Sequence, residues 1–403
     1  MRCALVVVAA CSSASSAPSP PAVTPPPDPV VAPTPAPVVR VGDDKATGRV
    51  VGVRIGAAVG AAAATDQPAY ARAGEVVTLF AALDVQEAGK RVVYSDAPAL
   101  RLGGHDVKVR PIAAAPLVDL RWNKLEPATA NLSNGDGDSF HFEAIDYRAT
   151  PIENAGGKPA IAAEVHPTLT PDHGDGVGTM RYQLVVLQGD RVIASPGPEA
   201  RRGKGSGGLS DAVTRVSIRR DDTYLGFLTE MYNQPYIWAS AGLTDASHQS
   251  ERLEGSDCAD FIIYGARRMG AKLGYAYTGE LPQVTRRLGS GKRGEGGVFR
   301  DAHGRPIAFT RPGDLLLFPR HVGALTVDRG TPGVLDDQDV MMHTLFDSPK
   351  EQAIAETGYA DQPVELRRFT ATPQGFPRAR ESRGPHPAID PLPSVTPDLR
   401  RDR

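Results

Sequence analysis

Between residues 48 and 220, short apolar stretches alternate with clusters of glycine, proline, asparagine and aspartate, which limits this segment to short strands. The chain has 42 glycines and 36 prolines in 403 residues, enough to supply these breaks. The predicted strands are Arg49–Ile55, Glu75–Phe80, Val107–Val109, Phe140–Ile145, Met180–Val186 and Val213–Ile218. Strands of this length and spacing predict one or two antiparallel β-sandwiches. Such a fold does not define a function, and a binding or spacer role is the default expectation for this β region.

Charge and cysteine content exclude several classes of protein. A formal net charge of −2 gives no general attraction to nucleic acid or to an anionic membrane, so we expect no nucleic-acid partner. Three cysteines are too few for a disulfide framework or a multi-cysteine metal site in a chain of this length. No run of 18 apolar residues is present to form a membrane-spanning helix.

The N-terminus has the pattern of a short export signal. Arg2 precedes an apolar stretch that ends in Val8-Ala9-Ala10, directly before Cys11. This segment resembles a bacterial lipoprotein signal, which implies that residues 1–11 are the signal and that Cys11 carries the lipid. The alternative is an apolar N-terminus without such a role. The lipoprotein reading predicts a protein anchored in the cell envelope, on the periplasmic side of the outer membrane or on the extracellular surface, with the membrane as a partner.

Segments at both ends lack the apolar content of a core. Residues 12–47 are rich in serine and then proline, which predicts a disordered, extended linker that would hold a folded part away from the membrane. Residues 372–403 are rich in proline and arginine, which predicts a loosely attached tail.

The chemistry-bearing part of the chain begins near Asp221. A Gly255-Ser256-Asp257 turn precedes Cys258, and the apolar spacing that follows predicts a helix that begins at this cysteine. A helix N-terminus stabilises a thiolate, so Cys258 is a candidate nucleophile. The alternative is a small buried hydrophobic residue, which is the usual fate of a free cysteine.

Two histidines supply a candidate base and an orienting group. His321 follows the predicted strand 312–318 and begins the next one, and His343 lies within a third strand at 340–346. A cysteine at a helix start followed by histidines on adjacent strands is the arrangement that a Cys–His nucleophile pair with a third group requires. Taken alone, His343 is equally compatible with a structural role.

Four sequence pieces in this order resemble the NlpC-type cell-wall cysteine peptidases. They are Pro235-Tyr236-Ile237-Trp238, Asp257-Cys258 at a helix start, Pro312-Gly313-Asp314-Leu315-Leu316-Leu317-Phe318, and His321-Val322-Gly323. The resemblance covers about residues 221–369. It implies a papain-like fold and cleavage of peptidoglycan stem peptides, with no metal or organic cofactor.

The resemblance also assigns roles to individual residues. Cys258 is the nucleophile, His321 the general base, and His343 the group that orients and polarises His321. Tyr236 directs its hydroxyl toward the oxyanion, and Asp257 lies near the amino end of the substrate.

The chain departs from the family signature at four positions. Ala239 and Ser240 stand where the family has two glycines after the tryptophan. Ala259 and Asp260 stand where it has Ser and Gly after the nucleophile, which puts the usual specificity in doubt more than the mechanism.

Together these features predict an α+β protein. An antiparallel, Ig-like β-sandwich at 48–220 precedes a papain-like, NlpC-type peptidase domain at 221–371. The predicted function is exported hydrolysis of amide bonds in peptidoglycan stem peptides by a Cys–His–His thiolate mechanism. Two alternatives are a non-catalytic envelope-binding protein that retains the papain-like shape, and a thiol amidase or acyltransferase that acts on another substrate.

Overall fold

The computed structural model describes residues 39–136, 139–140, 144–202 and 207–370. Cys11 and the rest of the predicted signal, the linker up to residue 38 and the tail lie outside the described residues. No helix within these described ranges is both long enough and apolar enough to cross a membrane.

Eighteen strands are assigned within the described residues up to Arg219. They are β1 (Arg40–Val41), β2 (Arg49–Val59), β3 (Ala64–Thr65), β4 (Ala69–Arg72), β5 (Val77–Glu87), β6 (Lys90–Tyr94), β7 (Leu100–Leu102), β8 (His105–Val107), β9 (Val109–Arg110), β10 (Val118–Pro127), β11 (Asn131–Ser133), β12 (Gly135–Asp136), β13 (Ser139–Phe140), β14 (Tyr147–Pro151), β15 (Ala160–Ala162), β16 (Gly178–Gln188), β17 (Arg191–Ala194) and β18 (Thr214–Arg219). A 3₁₀ turn spans Ile112–Ala114.

The remaining described residues hold three helices and eight strands. They are α1 (Tyr224–Leu228), β19 (Tyr236–Trp238), α2 (Cys258–Arg268), α3 (Leu281–Val284), β20 (Thr285–Arg293), β21 (Phe299–Arg300), β22 (Leu315–Phe318), β23 (His321–Val327), β24 (Val340–His343), β25 (Lys350–Ala353) and β26 (Val364–Phe369). Short 3₁₀ turns lie at Thr229–Met231, Asp245–Ser247, Glu295–Gly297 and Ile354–Glu356.

Two large sheets form the β region, and they share a core. One contains seven strands around β10, β16 and β18, and the other contains eight strands around β2 and β5. Leu79 and Leu83 of the second sheet belong to the same buried cluster as Trp122, Tyr182 and Leu184 of the first. The long strands β5 and β16 are buried along most of their length, because the two sheets pack against each other through their apolar faces.

Both sheets are mixed, which corrects the prediction of an antiparallel, Ig-like sandwich. Strand β4 runs parallel to β18, β3 parallel to β7, and β6 parallel to β9. Parallel neighbours need a crossover connection, so the chain does not follow hairpin connections throughout.

A third sheet of seven strands carries the later part of the chain, in the order β21-β20-β26-β22-β23-β24-β25. Helix α2 packs against β23 and β24 of this sheet. The buried carboxylate of Asp314, which precedes β22, accepts two hydrogen bonds from Arg368 of β26, both 2.6 Å long. The aspartate of the 312–318 motif therefore ties β22 to β26.

The prediction of an α+β, papain-like fold is wrong for this structure. The described part of the chain is mostly β, with 42% in strands and 11% in helices, and α2 is the longest helix within it at 11 residues. Leu120 of the β region and Phe261 of α2 also belong to one buried cluster. The physical reason is that the chain buries its apolar residues mainly between sheets. The apolar side of α2 packs into the core that the β region also forms.

Candidate functional site

A tight turn places Cys258 at the first position of α2. Gly255 has φ +126°, and a Cβ atom there would approach the carbonyl oxygen of Pro235 to 2.5 Å, so glycine is required. Asp257 is the N-cap of the helix, and its carboxylate accepts hydrogen bonds of 2.9 Å from the N–H groups of Ala259 and Asp260. The carboxylate of Asp257 is therefore occupied by the helix start in this state.

Strand β19 positions Tyr236 beside this turn. The N–H of Tyr236 donates to the carbonyl of Ala130, and the N–H of Ile237 donates to the carbonyl of Ser256, two residues before the cysteine. Tyr236 is buried, and burial raises the pKa of its hydroxyl, with the neighbouring Cys258 and Asp257 raising it further. Tyr236 is thus a neutral hydrogen-bond donor close to the thiol.

The two predicted histidines form a buried pair. His321 Nε2 and His343 Nδ1 lie 2.8 Å apart, at hydrogen-bonding distance, because antiparallel β23 and β24 are adjacent. Burial lowers the pKa of His343 to about 4, and burial together with His343 lowers the pKa of His321 well below its ordinary value. Both rings are therefore neutral at pH 7, as a general base must be before it takes a proton.

The thiol of Cys258 lies beside the main chain of β23, next to this histidine pair. Among the described residues it is not hydrogen-bonded to the imidazole of His321. The N–H of Val322 lies near Cys258 and lowers the pKa of its thiol, and Val322 shares a core cluster with Cys258. The His321 ring packs against Tyr359, with ring centroids 4.8 Å apart. Among the described residues, His321 Nδ1 has no hydrogen-bond partner.

The surroundings of Cys258 oppose thiolate formation in the resting state. Burial raises the pKa of the thiol, and the charges of Asp257 and Asp260 raise it further. The N–H groups of Val322 and of Cys258 itself act in the opposite direction but are outweighed. A helix N-terminus favours the thiolate, but burial and the two carboxylates outweigh it in the resting state.

We predict that alkylation of Cys258 by iodoacetamide is slow at pH 7 and still accelerates above pH 9. An ordinary thiol, with a pKa of about 8.5, would level off there. Asp260→Asn is expected to raise the rate at pH 8 about three- to tenfold, because it removes a nearby negative charge. The exposed Asp190→Asn variant is the matched control, and an equal effect of the two variants would contradict this assignment.

Two of the four departures from the family signature contact each other. The hydroxyl of Ser240 donates to Asp260 Oδ2 at 2.6 Å and accepts from the N–H of Asp257 at 2.9 Å. His248 Nε2 lies 3.3 Å from the same carboxylate oxygen, and its ring stacks on Tyr275. All four polar groups are at least half-buried, so this network fixes the turn that holds Cys258.

The β region supports the same turn directly. Arg181 of β16 is buried and donates to the carbonyls of Arg252 and Leu253, at 3.0 and 2.9 Å. Strand β11 pairs in parallel with β19, the strand that carries Tyr236. The β region is thus part of the framework of the site, beyond the spacer role expected from the sequence.

Sequence reasoning missed two residues near the thiol. Tyr359 packs on His321, and burial together with the charge of Cys258 raises the pKa of its hydroxyl. Arg320 is exposed, and its charge partly offsets the rise in the pKa of Tyr236 and Tyr359. This effect places a cation near the two hydroxyls. Arg320 directly precedes His321, a signal that could have been used, whereas nothing in the sequence marks Tyr359.

The described residues contain no group of three or more His, Cys, Asp or Glu side chains that could hold a metal ion. Comparison of the chain with protein-family models, with curated proteins and with solved structures finds no match.

Proposed function

We propose that this chain is an exported cysteine hydrolase that cleaves amide bonds in peptidoglycan stem peptides, and that it is related to the NlpC-type peptidases. The observation that carries the proposal is the position of Cys258. Its sulfur lies beside the N–H of Val322, the residue that follows His321 of a neutral, buried histidine pair, and Tyr236 lies close by. A lipid on Cys11 would hold the enzyme in the cell envelope.

The proposed reaction has two half-reactions. The thiol proton passes to His321 Nδ1, directly or through one water molecule, as the sulfur attacks the scissile carbonyl carbon. Tyr236 and the N–H of Cys258 stabilise the oxyanion. Protonated His321 then gives its proton to the leaving nitrogen as the C–N bond breaks, and water hydrolyses the thioester with His321 again as base. His343 orients His321 through the hydrogen bond at Nε2.

The neutral resting pair is compatible with this sequence of steps. His321 Nδ1 is the ring nitrogen without a partner among the described residues, so it is available to accept the proton. Its ring must turn toward Cys258, or a water molecule must bridge the two groups, when substrate binds. Catalytic hydrogen bonds are often long in unliganded enzymes and shorten in the substrate complex.

The test is digestion of purified peptidoglycan by the full chain, with new amino groups counted by an amine-reactive dye and the released peptides identified by mass spectrometry. We expect new amino groups to appear with time. Prior alkylation of the chain with iodoacetamide at pH 9.5 should stop their release. Release that continues at full rate after complete alkylation of Cys258 would contradict the proposal.

A non-catalytic envelope-binding role is the second candidate. The pKa of the Cys258 thiol is raised, and no hydrogen bond joins His321 Nδ1 to this thiol among the described residues. Both observations favour this role. It predicts that the chain sediments with insoluble peptidoglycan and that neither amino groups nor soluble peptides appear.

A further inference from the structure

A groove of about 650 Å³ opens at the end of β22, beside the proposed site. Its walls come from the β20–β21 hairpin, the start of β26 and the segment after α2. Leu317, Phe318 and Pro319 form an apolar part of its lining. This volume and mixed lining are typical of a small-molecule or peptide-side-chain site.

Two cations lie side by side on one wall of this groove. Lys292 of β20 and Arg300 of β21 are directly paired in the antiparallel hairpin, and both line the groove. Like charges in direct cross-strand pairs destabilise a sheet. Neither forms an ion pair with a described residue, and the only hydrogen bond of the Arg300 side chain goes to the carbonyl of Gly304. The neighbouring Arg293, by contrast, is paired with Asp337 and Asp361.

The acidic residues of the groove do not neutralise these cations. Asp301 is paired with Arg305, and Glu365 is paired with Arg287 and Arg367. The lining contains two cations and two carboxylates, but each carboxylate is paired with an arginine outside the lining, so Lys292 and Arg300 are its charges without an ion-pair partner among the described residues. An anion placed between two cations would relieve their repulsion and accept charge-assisted hydrogen bonds.

The groove lies next to the candidate site. Pro319 lines the groove, and the charge of Arg320, the following residue, acts on Tyr236 and Tyr359. A peptide whose scissile bond lies at Cys258 could therefore extend past the turn between β22 and β23 into the groove.

We propose that this groove binds a carboxylate of the peptide substrate through Lys292 and Arg300. The inference rests on the proposed function, which supplies the peptide, but the anion site is testable by binding alone. It defines the substrate class as a peptide with a free carboxylate on one side of the scissile bond.

The test uses the full-length Cys258→Ala variant, which binds without turnover, and isothermal titration calorimetry. The probes are the synthetic tetrapeptide L-Ala-D-isoglutaminyl-L-Lys-D-Ala, whose only free carboxylate is the terminal one, and the same peptide with a terminal amide. We expect the carboxylate form to bind at least tenfold more tightly, and the difference to shrink as salt is raised. Equal affinity of the two probes would overturn the proposal.

Charge-removing variants locate the effect. Adding Lys292→Gln should remove most of the difference between the probes, and Arg300→Lys should retain part of it. Arg286→Gln is the matched control, because Arg286 is an exposed cation on the same strand that does not line the groove. An equal loss with Arg286→Gln would show that only net charge matters and would overturn the site.

Further outcomes distinguish a carboxylate ligand from a phosphate ligand, and the groove proposal from the hydrolase proposal. Glycerol phosphate that binds more tightly than the carboxylate peptide would overturn the assignment to carboxylate. Preferential binding of the carboxylate peptide without any cleavage by the wild-type chain would support the groove and contradict the hydrolase. Cleavage of both probes with equal kcat/KM would support the hydrolase and contradict the groove.

Discussion

Cys258→Ala is expected to reduce kcat/KM for hydrolysis of a stem peptide by at least about 10³-fold. Alanine removes the nucleophile, and no other described cysteine can replace it. The measurement is amine release from a synthetic stem peptide under conditions in which the wild-type rate is well resolved. Met269→Ala is the matched control, because Met269 lies at the other end of α2 and is exposed.

The histidine variants extend this prediction. His321→Ala should lower kcat/KM by about 10²- to 10⁴-fold, the usual contribution of a general base, and His343→Ala should have a smaller effect. Because the pKa of His321 lies well below its ordinary value, the acidic limb of the wild-type pH profile is expected below pH 6.5. Wild-type activity in Cys258→Ala, with an unchanged unfolding temperature, would rule out the thiol mechanism.

The local elements of this protein follow from its sequence to a considerable extent. The predicted strands at 49–55 and 180–186 are confirmed within the longer β2 and β16. The helix predicted to begin at Cys258 begins there, because the Gly-Ser-Asp turn supplies both the required glycine and the N-cap. These features depend on neighbouring residues and on periodicity, which a sequence contains directly.

The tertiary arrangement was harder to predict from the sequence. The alternation of apolar residues indicates which face of a strand is buried but does not identify its neighbour, so the parallel pairing of β4 with β18 could not be derived. The strands around His321 are buried on both faces, so alternation could not show which face its ring occupies. The shared core of the β region and α2 was missed for the same reason.

The candidate site could likewise be predicted from the sequence only in part. Pairing of His321 with His343 follows from adjacent strands, and the sequence anticipated it. The contact between Ser240 and Asp260 joins a loop to a helix, and neither position marks the other. The raised pKa of Cys258 depends on burial, which cannot be read from its place at a helix start.

Glu230→Ala is expected to lower the free energy of unfolding by about 3–5 kcal/mol, the cost of breaking a buried ion pair by removing one partner. Glu230 lies in the Thr229–Met231 turn and is fully buried. Its carboxylate accepts hydrogen bonds of 2.8 and 2.9 Å from Arg268 at the end of α2, and a further one from the hydroxyl of Tyr264. The variant leaves the guanidinium and the hydroxyl without this acceptor.

The measurement is urea unfolding followed by tryptophan fluorescence, with Glu356→Ala as the matched control. Glu356 also lies in a 3₁₀ turn but is exposed and forms no ion pair with a described residue, so its removal should change stability by less than about 0.5 kcal/mol. Glu230→Gln keeps the size of the side chain and one acceptor oxygen, and should lie between the two. Equal stabilities of Glu230→Ala and Glu356→Ala would show that α2 does not depend on this carboxylate. A large difference would show that the helix bearing Cys258 is anchored at its far end by a residue outside the site.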